Sequence, residues 1–262
     1  PNGVCRFDVA IRALEQTGGG HVRCGVGSGI VIDSDPEREY AECLLKARFL
    51  TGFDPGFELI ETMRLEDGEF PFLAHHLERL GASAKALGFA SNLAEISEVL
   101  AGLALSESEG VYRVRVTLAH DGQWKMTSAL LPAAEEPTRY LVIADEVLDA
   151  EDYLLRHKTT ARDRYDRALA ALADQPEVFD ALFFNTRGEL CEGARSSVFI
   201  ERDGKLLTPP LACGLLPGVM RRHLLESGRA VECVLTREDV LNAPAIYLAN
   251  ALRGLMRVVF RD

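Results

Sequence analysis

A chain of 262 residues has room for one large domain or two ordinary ones, and its 47% hydrophobic content is that of a globular protein able to bury a core. A net charge of −11, from 29 basic and 40 acidic residues, argues against the basic footprint of a nucleic-acid binder; any anionic ligand must be held by a local cluster working against the global field. The six scattered cysteines form no C-x-x-C pair, no apolar run is long enough for a membrane span and there is no signal peptide, so a reduced, cytoplasmic, zinc-free protein is expected.

The chain begins at Pro1 rather than at methionine, in what reads as the run-up to a strand, which suggests a processed chain or a fragment of a longer one. Arg6 to Leu14 alternates loosely and predicts a strand, Gln16 to Gly20 a turn, and Val22 to Asp33 a second strand containing Gly25, Gly27 and Gly29. Glycines in a strand mark close backbone approach, to a ligand or to another strand, or a bulge. Asp33 and Ser34 then cap a helix, with Pro36 early in it, that runs to about Leu50. Fifty residues of this kind cannot bury a core of their own. Gly52, Pro55 and Gly56 mark a boundary.

Phe57 to Leu65 predicts a strand, Asp67-Gly68 a hairpin turn, and Glu69 to Leu73 the return. Ala74 to Leu87 is a helix with Leu77, Leu80, Ala84 and Leu87 on one face, closed by Gly88, and Ser91 to Leu105 a second helix capped by Ser91 or Asn92. Val111 to Ala119 alternates strongly and pairs through Asp121-Gly122 with Trp124 to Leu130. The segment 57–131 is thus a small α+β domain, and Leu131 to Pro137 reads as a linker to a third region, 138–262.

That third region opens with strand Arg139 to Ala144 and then the stretch YLLRHKTTARDRYDRA, from Tyr153 to Ala168. Lys158 ends a short apolar run and is followed by Arg162, Arg164 and Arg167. Burial and nearby cations both push a lysine toward the neutral amine that covalent chemistry needs; a surface lysine at a strand-to-helix turn is the plain alternative. Tyr165 to Leu172 predicts a helix, and Asp180 to Asn185, Glu189 to Ala194 and Ser197 to Glu201 lead to a hairpin at Asp203-Gly204. The loop GLLPG, Gly214 to Gly218, then feeds helix Val219 to Glu226, whose free amides and dipole suit an anion; it is not a Walker loop.

Six stretches taken together, ETMRLEDGEF, HHLERLGASAKALGF, HKTTARDRYDRA, FNTRGELCEGARSSVFI, LTPPLACGLLPGVMRRHLLE and YLANALRGL, resemble the class IV pyridoxal-phosphate family over about residues 57 to 260. That family includes branched-chain and D-amino-acid aminotransferases and 4-amino-4-deoxychorismate lyase. The resemblance implies a fold of mixed α/β and α+β type: a small domain and a larger, barrel-like mixed-sheet domain, with the cofactor between them and the site completed in a homodimer. It implies pyridoxal phosphate as cofactor and no metal. Lys158 matches the Schiff-base lysine, Glu192 the partner of the pyridine nitrogen, and Arg79 of H-x-x-R-L the phosphate arginine. Val219 and Met220 match the phosphate-binding amides after L-P-G, and Asn250, Ala251 and Leu252 the loop that meets the cofactor. Asn250 and Arg162 are substrate candidates, although an ion pair with Asp163 or Asp166 is the alternative for Arg162. Glu192 as a solvated turn carboxylate and Arg79 as an arginine over apolar surface are the alternatives there; His75 and His76 read as helix-surface residues. Relatives often place a tyrosine a few residues after the lysine; here Arg162 and Asp163 occupy that span and Tyr165 comes slightly later, so the partner of the phenolic oxygen is left unassigned.

The first fifty residues carry a second resemblance. FDVAIRALEQ and GVGSGIVIDSDPEREYAECLLKA resemble the C-terminal end of the chorismate-utilising enzymes, closest to component I of 4-amino-4-deoxychorismate synthase. In that family the turn matched by Gly27, Ser28 and Gly29 offers amides to a carboxylate, and the acids matched by Glu39 and Glu42 bind magnesium. Most of that family's domain is absent, so residues 1–50 are expected to be the inactive remnant of a fused module. The pairing points to an enzyme that removes pyruvate from 4-amino-4-deoxychorismate to give 4-aminobenzoate, toward folate. An aminotransferase acting on a branched-chain or D-amino acid, and a decayed interaction tail of the synthase, are the alternatives.

Overall fold

The computed structural model describes residues 14–16, 22–51, 54–132 and 139–261. The predicted strand over 6–14 lies outside these residues except for Leu14, as do most of the turn at 16–20 and of the linker at 131–137. The chain divides into two compact units, Pro1–Pro55 and Gly56–Asp262.

In the first unit, β1 (Leu14–Gln16) pairs antiparallel with β2 (Val22–Cys24). The strand expected to reach Asp33 stops at Cys24 because Gly25, Gly27 and Gly29 have no side chains to pack. Helix α1 (Pro36–Thr51) starts with proline at its first position, where the missing N–H costs nothing. Its cap is Asp35, whose Oδ1 accepts from the amide of Arg38 at 2.9 Å; Ser34 instead turns back to accept from Val31. Lys46 pairs with Glu42 at 2.7 Å and donates to the carbonyl of Gly27 at 2.9 Å, while Ser28 and then Ser34 hold the Glu39 carboxyl below its usual range.

The second unit contains two sheets. The smaller is antiparallel, with β3 (Leu59–Glu66), β4 (Val111–Leu118) and β5 (Trp124–Leu130) in that order. Asp67 and Gly68 both have positive φ, as the D-G signal requires, but the return strand reduces to a bridge between Glu66 and Glu69. Pro71 has no donor for a ladder, and the chain enters α2 (Leu73–Leu87). Asn92 caps α3 (Leu93–Ser106). The two helices bury Leu80, Ala84, Ile96 and Leu100 against Leu59, Met63, Leu65, Val114, Val116 and Leu118, each large side chain stabilising by about 1.5–3 kcal/mol.

The larger sheet is mixed. Its strands are β6 (Tyr140–Ile143), β7 (Val178–Phe184), β8 (Leu190–Gly193), β9 (Ser197–Arg202), β10 (Lys205–Thr208), β11 (Ala230–Glu232), β12 (Ile246–Asn250) and β13 (Gly254–Phe260), in the order β11-β10-β9-β12-β13-β6-β7-β8. Strand β6 runs parallel to both its neighbours and β10 parallel to β11; the other pairs are antiparallel. The amide of Gly193 donates to the carbonyl of Ser196 at 2.8 Å, which ties β8 to the start of β9 from opposite flanks of that order and curls the sheet. Helices α4 (Asp163–Ala170), α5 (Val219–Glu226) and α6 (Arg237–Leu241) complete the unit. It is an α+β fold with a mixed sheet, as expected from the sequence.

Candidate active site

One cavity of about 810 Å³ runs between the small sheet and the large one. Its wall includes Lys158, Arg79, Glu192, Arg162, Tyr165, Val219, Met220, Asn250 and Ala251, residues drawn from five separate stretches.

Lys158 sits in extended backbone just after a short 3-10 turn, Tyr153–Arg156. That backbone is pinned to the front of β3. The amide of Ile60 donates to the carbonyl of Lys158 at 2.9 Å, the amide of Thr160 to the carbonyl of Glu58 at 2.8 Å, and the Thr160 hydroxyl accepts from the amide of Glu58 at 2.8 Å. The small sheet therefore fixes where the lysine points. Burial brings its amine down to about 8, with Arg79 and Arg162 adding to the effect and Glu61 and Glu192 opposing it. A substantial neutral fraction near pH 8 is what a nucleophilic or basic lysine requires.

Glu192 lies on β8 with the neighbouring Gly193 packed on Asp180: a Cβ at that glycine would stand 2.6 Å from Asp180 Oδ2. The Glu192 carboxyl is buried. One oxygen accepts from the Tyr165 hydroxyl at 2.6 Å and the other from the amide of Leu216 at 3.1 Å. Burial pushes its pKa up to about 7, against the pull of those two hydrogen bonds and of the Lys158 and Arg162 charges. The same contact, after burial, drives the Tyr165 hydroxyl far above its ordinary value. Tyr165 stacks edge-on against Phe183.

Arg79 projects from α2 into a rigid bracket. Its Nε and Nη2 donate to the two oxygens of Glu61 at 2.8 and 2.7 Å, and Nη1 donates to the carbonyl of Pro217 at 3.1 Å. Glu61 in turn meets His76 Nδ1 at 2.6 Å. Burial alone would raise the Glu61 carboxyl; the Arg79 charge and the hydrogen bonds of His76 and Arg79 outweigh it and hold it at about 2. His76 is buried rather than on the helix surface, and its Nε2 is left without a hydrogen-bond partner among the described residues. The expectation of a surface histidine fails because α2 turns this position toward β3, where Glu61 supplies its partner.

The contact to Pro217 brings the Arg79 guanidinium to the N-terminus of α5. There the amides of Val219 and Met220 have no acceptor among the described residues, as at any helix start. Gly218 is needed at that point: a Cβ would lie 2.5 Å from Ser197 Oγ. Free amides and a helix dipole suit an anion, and the Arg79 guanidinium, held by Glu61, stands beside them.

Two expected substrate residues are largely engaged. Arg162 donates to Asp166 at 2.9 Å and to the carbonyl of Ala194 at 2.8 Å, so the ion pair is present while the residue still lines the cavity. Asn250 uses its side-chain oxygen to accept from the amides of Leu252 and Arg253, at 3.1 and 3.0 Å, and so shapes the turn between β12 and β13.

The donor set is complementary to a planar, polar ring bearing an anionic group: a tethering amine, a buried acid, and a cation with free amides. Tyr165, Glu61 and the buried state of His76 were not read from the sequence as site features. The only sequence signal for Glu61 is a charge between the apolar positions Leu59, Ile60 and Met63 of its strand. No group of three or more His, Cys, Asp or Glu side chains among the described residues is arranged to hold a metal ion, and no described helix is long and apolar enough to cross a membrane.

Residues 58–259 match the sequence pattern of the family described as amino-transferase class IV, and residues 1–52 match that of the chorismate binding enzymes. A protein of Schizosaccharomyces pombe, provisionally named an aminodeoxychorismate lyase, is 31% identical over 208 residues, which cover 77% of this chain and 88% of that protein. A crystal structure from Mesorhizobium loti, provisionally named an amino-acid aminotransferase, is 40% identical with a TM-score of 0.73, covering 78% of this chain and all of that one. A structure from Legionella pneumophila, provisionally named a 4-amino-4-deoxychorismate lyase, is 25% identical with a TM-score of 0.66, covering 78% and 83%.

Proposed function

Because the chain belongs to the class IV aminotransferase family of pyridoxal-phosphate enzymes, we propose that it is a carbon–oxygen lyase converting 4-amino-4-deoxychorismate to 4-aminobenzoate and pyruvate. The observation that carries this reading is the union, in one chain, of a chorismate-enzyme sequence at residues 1–52 with a class IV sequence at 58–259 whose Lys158 and Glu192 line one cavity. The chemistry of the donor set fits pyridoxal phosphate. Lys158 would tether its carbonyl carbon, Glu192 would face the pyridine nitrogen, and Arg79 with the amides of Val219 and Met220 would hold the phosphate. Bound there, the cofactor supplies an electron sink for charge left on the carbon that bears the substrate's amine.

The residues do the rest. Lys158 Nζ, on a backbone held by β3 and kept partly neutral, would accept the proton from C4 of the substrate ring. The C3–O bond then breaks, enolpyruvate leaves and takes up a proton to become pyruvate, and the ring becomes aromatic; atoms and charge balance without an oxidant or a keto acid. Tyr165 holds Glu192 in its orientation throughout. We read the active species as a homodimer and the first fifty residues as a remnant without synthase activity.

The second reading, an aminotransferase using the same residues, is favoured by the likeness to the Mesorhizobium loti structure. Titration with pyridoxal phosphate separates the cofactor assignment from the substrate: wild type is expected to develop a visible absorption band that Lys158→Ala lacks. Addition of 4-amino-4-deoxychorismate should then give 4-aminobenzoate with no keto acid present. A band without product, but with amino-group exchange once a keto acid is added, would replace the lyase by the aminotransferase. No band at all would remove the cofactor assignment.

A further inference from the structure

The half-buried turn Asn250 to Arg253 is firmly built. Asn250 accepts from two of its amides, and Arg64, itself paired with Glu66 at 2.8 Å, reaches across from β3 to donate to the carbonyl of Leu252 at 3.0 Å. The turn presents Arg253 to the cavity.

Arg253 is half-buried and stands among cations. Burial lowers its pKa, and the charges of Arg139, Arg195 and Arg64 lower it further. Its neighbours are accounted for. Arg64 has Glu66; Arg195 donates to the carbonyl of Phe179 and lies 4.5 Å over its ring; Arg139 lies over the same ring at 5.4 Å. The Arg253 guanidinium has neither a hydrogen-bond acceptor nor an acidic partner among the described residues. A half-buried guanidinium repelled by three others is costly unless an anion completes it.

In the reading above Arg79 and the α5 amides belong to the cofactor phosphate, which leaves Arg162, a cavity-wall cation whose charge reaches Lys158, for one substrate carboxylate and Arg253 for another. An amino acid with a single carboxylate leaves one of these two cations unmatched. We propose that Arg253 binds the second carboxylate of a dicarboxylate amine, and so selects such a substrate over amino acids that carry one carboxylate. The inference rests on the lyase reading for the identity of the substrate, because 4-amino-4-deoxychorismate carries one carboxylate on its ring and another on its enolpyruvyl group.

The test uses the cofactor-loaded full chain and two probes, chorismate with two carboxylates and no amine, and benzoate with one carboxylate. Calorimetric affinities are measured for wild type, Arg253→Met and Arg253→Lys, and 4-aminobenzoate formation is followed in parallel. Wild type is expected to favour chorismate; Arg253→Met should lose about tenfold or more of that preference, with benzoate affinity unchanged and Arg253→Lys between the two. Without ligand, Arg253→Met should melt no lower than wild type, since it removes repulsion rather than a contact. Equal chorismate preference in wild type and Arg253→Met, or no preference in wild type, would overturn the assignment. An Arg253-dependent preference in a protein that forms no 4-aminobenzoate would keep the dicarboxylate site and remove the lyase. Product formation without that preference would do the reverse.

Discussion

Lys158→Met should make the cofactor-free protein more stable near neutral pH. The native amine stands at about 8 against an ordinary 10.5, with burial as the first cause and the Arg79 and Arg162 charges next. Such a displacement corresponds to about 3 kcal/mol at roughly 1.4 kcal/mol per unit. The amine is reached by water in the cavity, which screens part of this and leaves roughly 1–2 kcal/mol. The folded value lies below the unfolded one, so the protonated lysine costs stability below about pH 8. The cost fades as pH rises toward 10.5 and is gone above it. Methionine keeps the length and carries no charge. For a protein of this size the gain should read as roughly 2–8 °C in melting temperature. Thermal unfolding of both proteins near pH 7 and again near pH 10.5 checks it. An equal gain at both pH values, or a loss near pH 7, would refute the argument that the site holds its lysine under electrostatic strain.

Three further outcomes follow from the same geometry. Tyr165→Phe removes the 2.6 Å hydrogen bond to Glu192, so that carboxyl should rise further above about 7; a buried acid with a raised pKa loses stability as pH climbs from about 4.5 through its folded value, and melts across pH 5–9 should show that loss reaching higher pH than in wild type. Glu61→Gln leaves Arg79 and His76 without their common carboxylate, costing about 3 kcal/mol or more; it should weaken pyridoxal-phosphate affinity about tenfold or more in an absorbance titration, and should remove the stability that wild type loses as pH falls from about 4.5 toward about 2. Gly218→Ala sets a Cβ against Ser197, and a cost of about 1–3 kcal/mol in denaturant melts, with weaker cofactor binding, is expected.

Much of the architecture was legible because the signals were local. The D-G turns, the alternation of Val111 to Leu118, the glycine after Leu87 and the loop into Val219 each carry their own physical instruction, and those elements stand within a residue or two of where the sequence places them. Beyond Glu226 a motif is readable in the sequence but no elements are. Strands β11 to β13 and helix α6 are short, and their burial comes from the sheet they join rather than from their own pattern. The strand past Cys24 and the return after Gly68 fail for lack of packing and for a proline.

The site divides in the same way. Lys158, Glu192, Arg79 and the Val219 amides belong to stretches whose wording and order carry a resemblance. Glu61, Tyr165 and the buried state of His76 depend on pairs separated by 15 to 27 positions, which no local pattern encodes. Arg253 is harder still, because what distinguishes it is the partner it lacks.

The lyase reading is tested most directly by one experiment. Cofactor-loaded wild type is mixed with 4-amino-4-deoxychorismate in the absence of any keto acid, and pyruvate and 4-aminobenzoate are measured together. Equal amounts of the two, formed over repeated turnovers and absent with Lys158→Ala, are the expected result. Amino-group transfer that requires a keto acid, with no pyruvate released, would contradict the account.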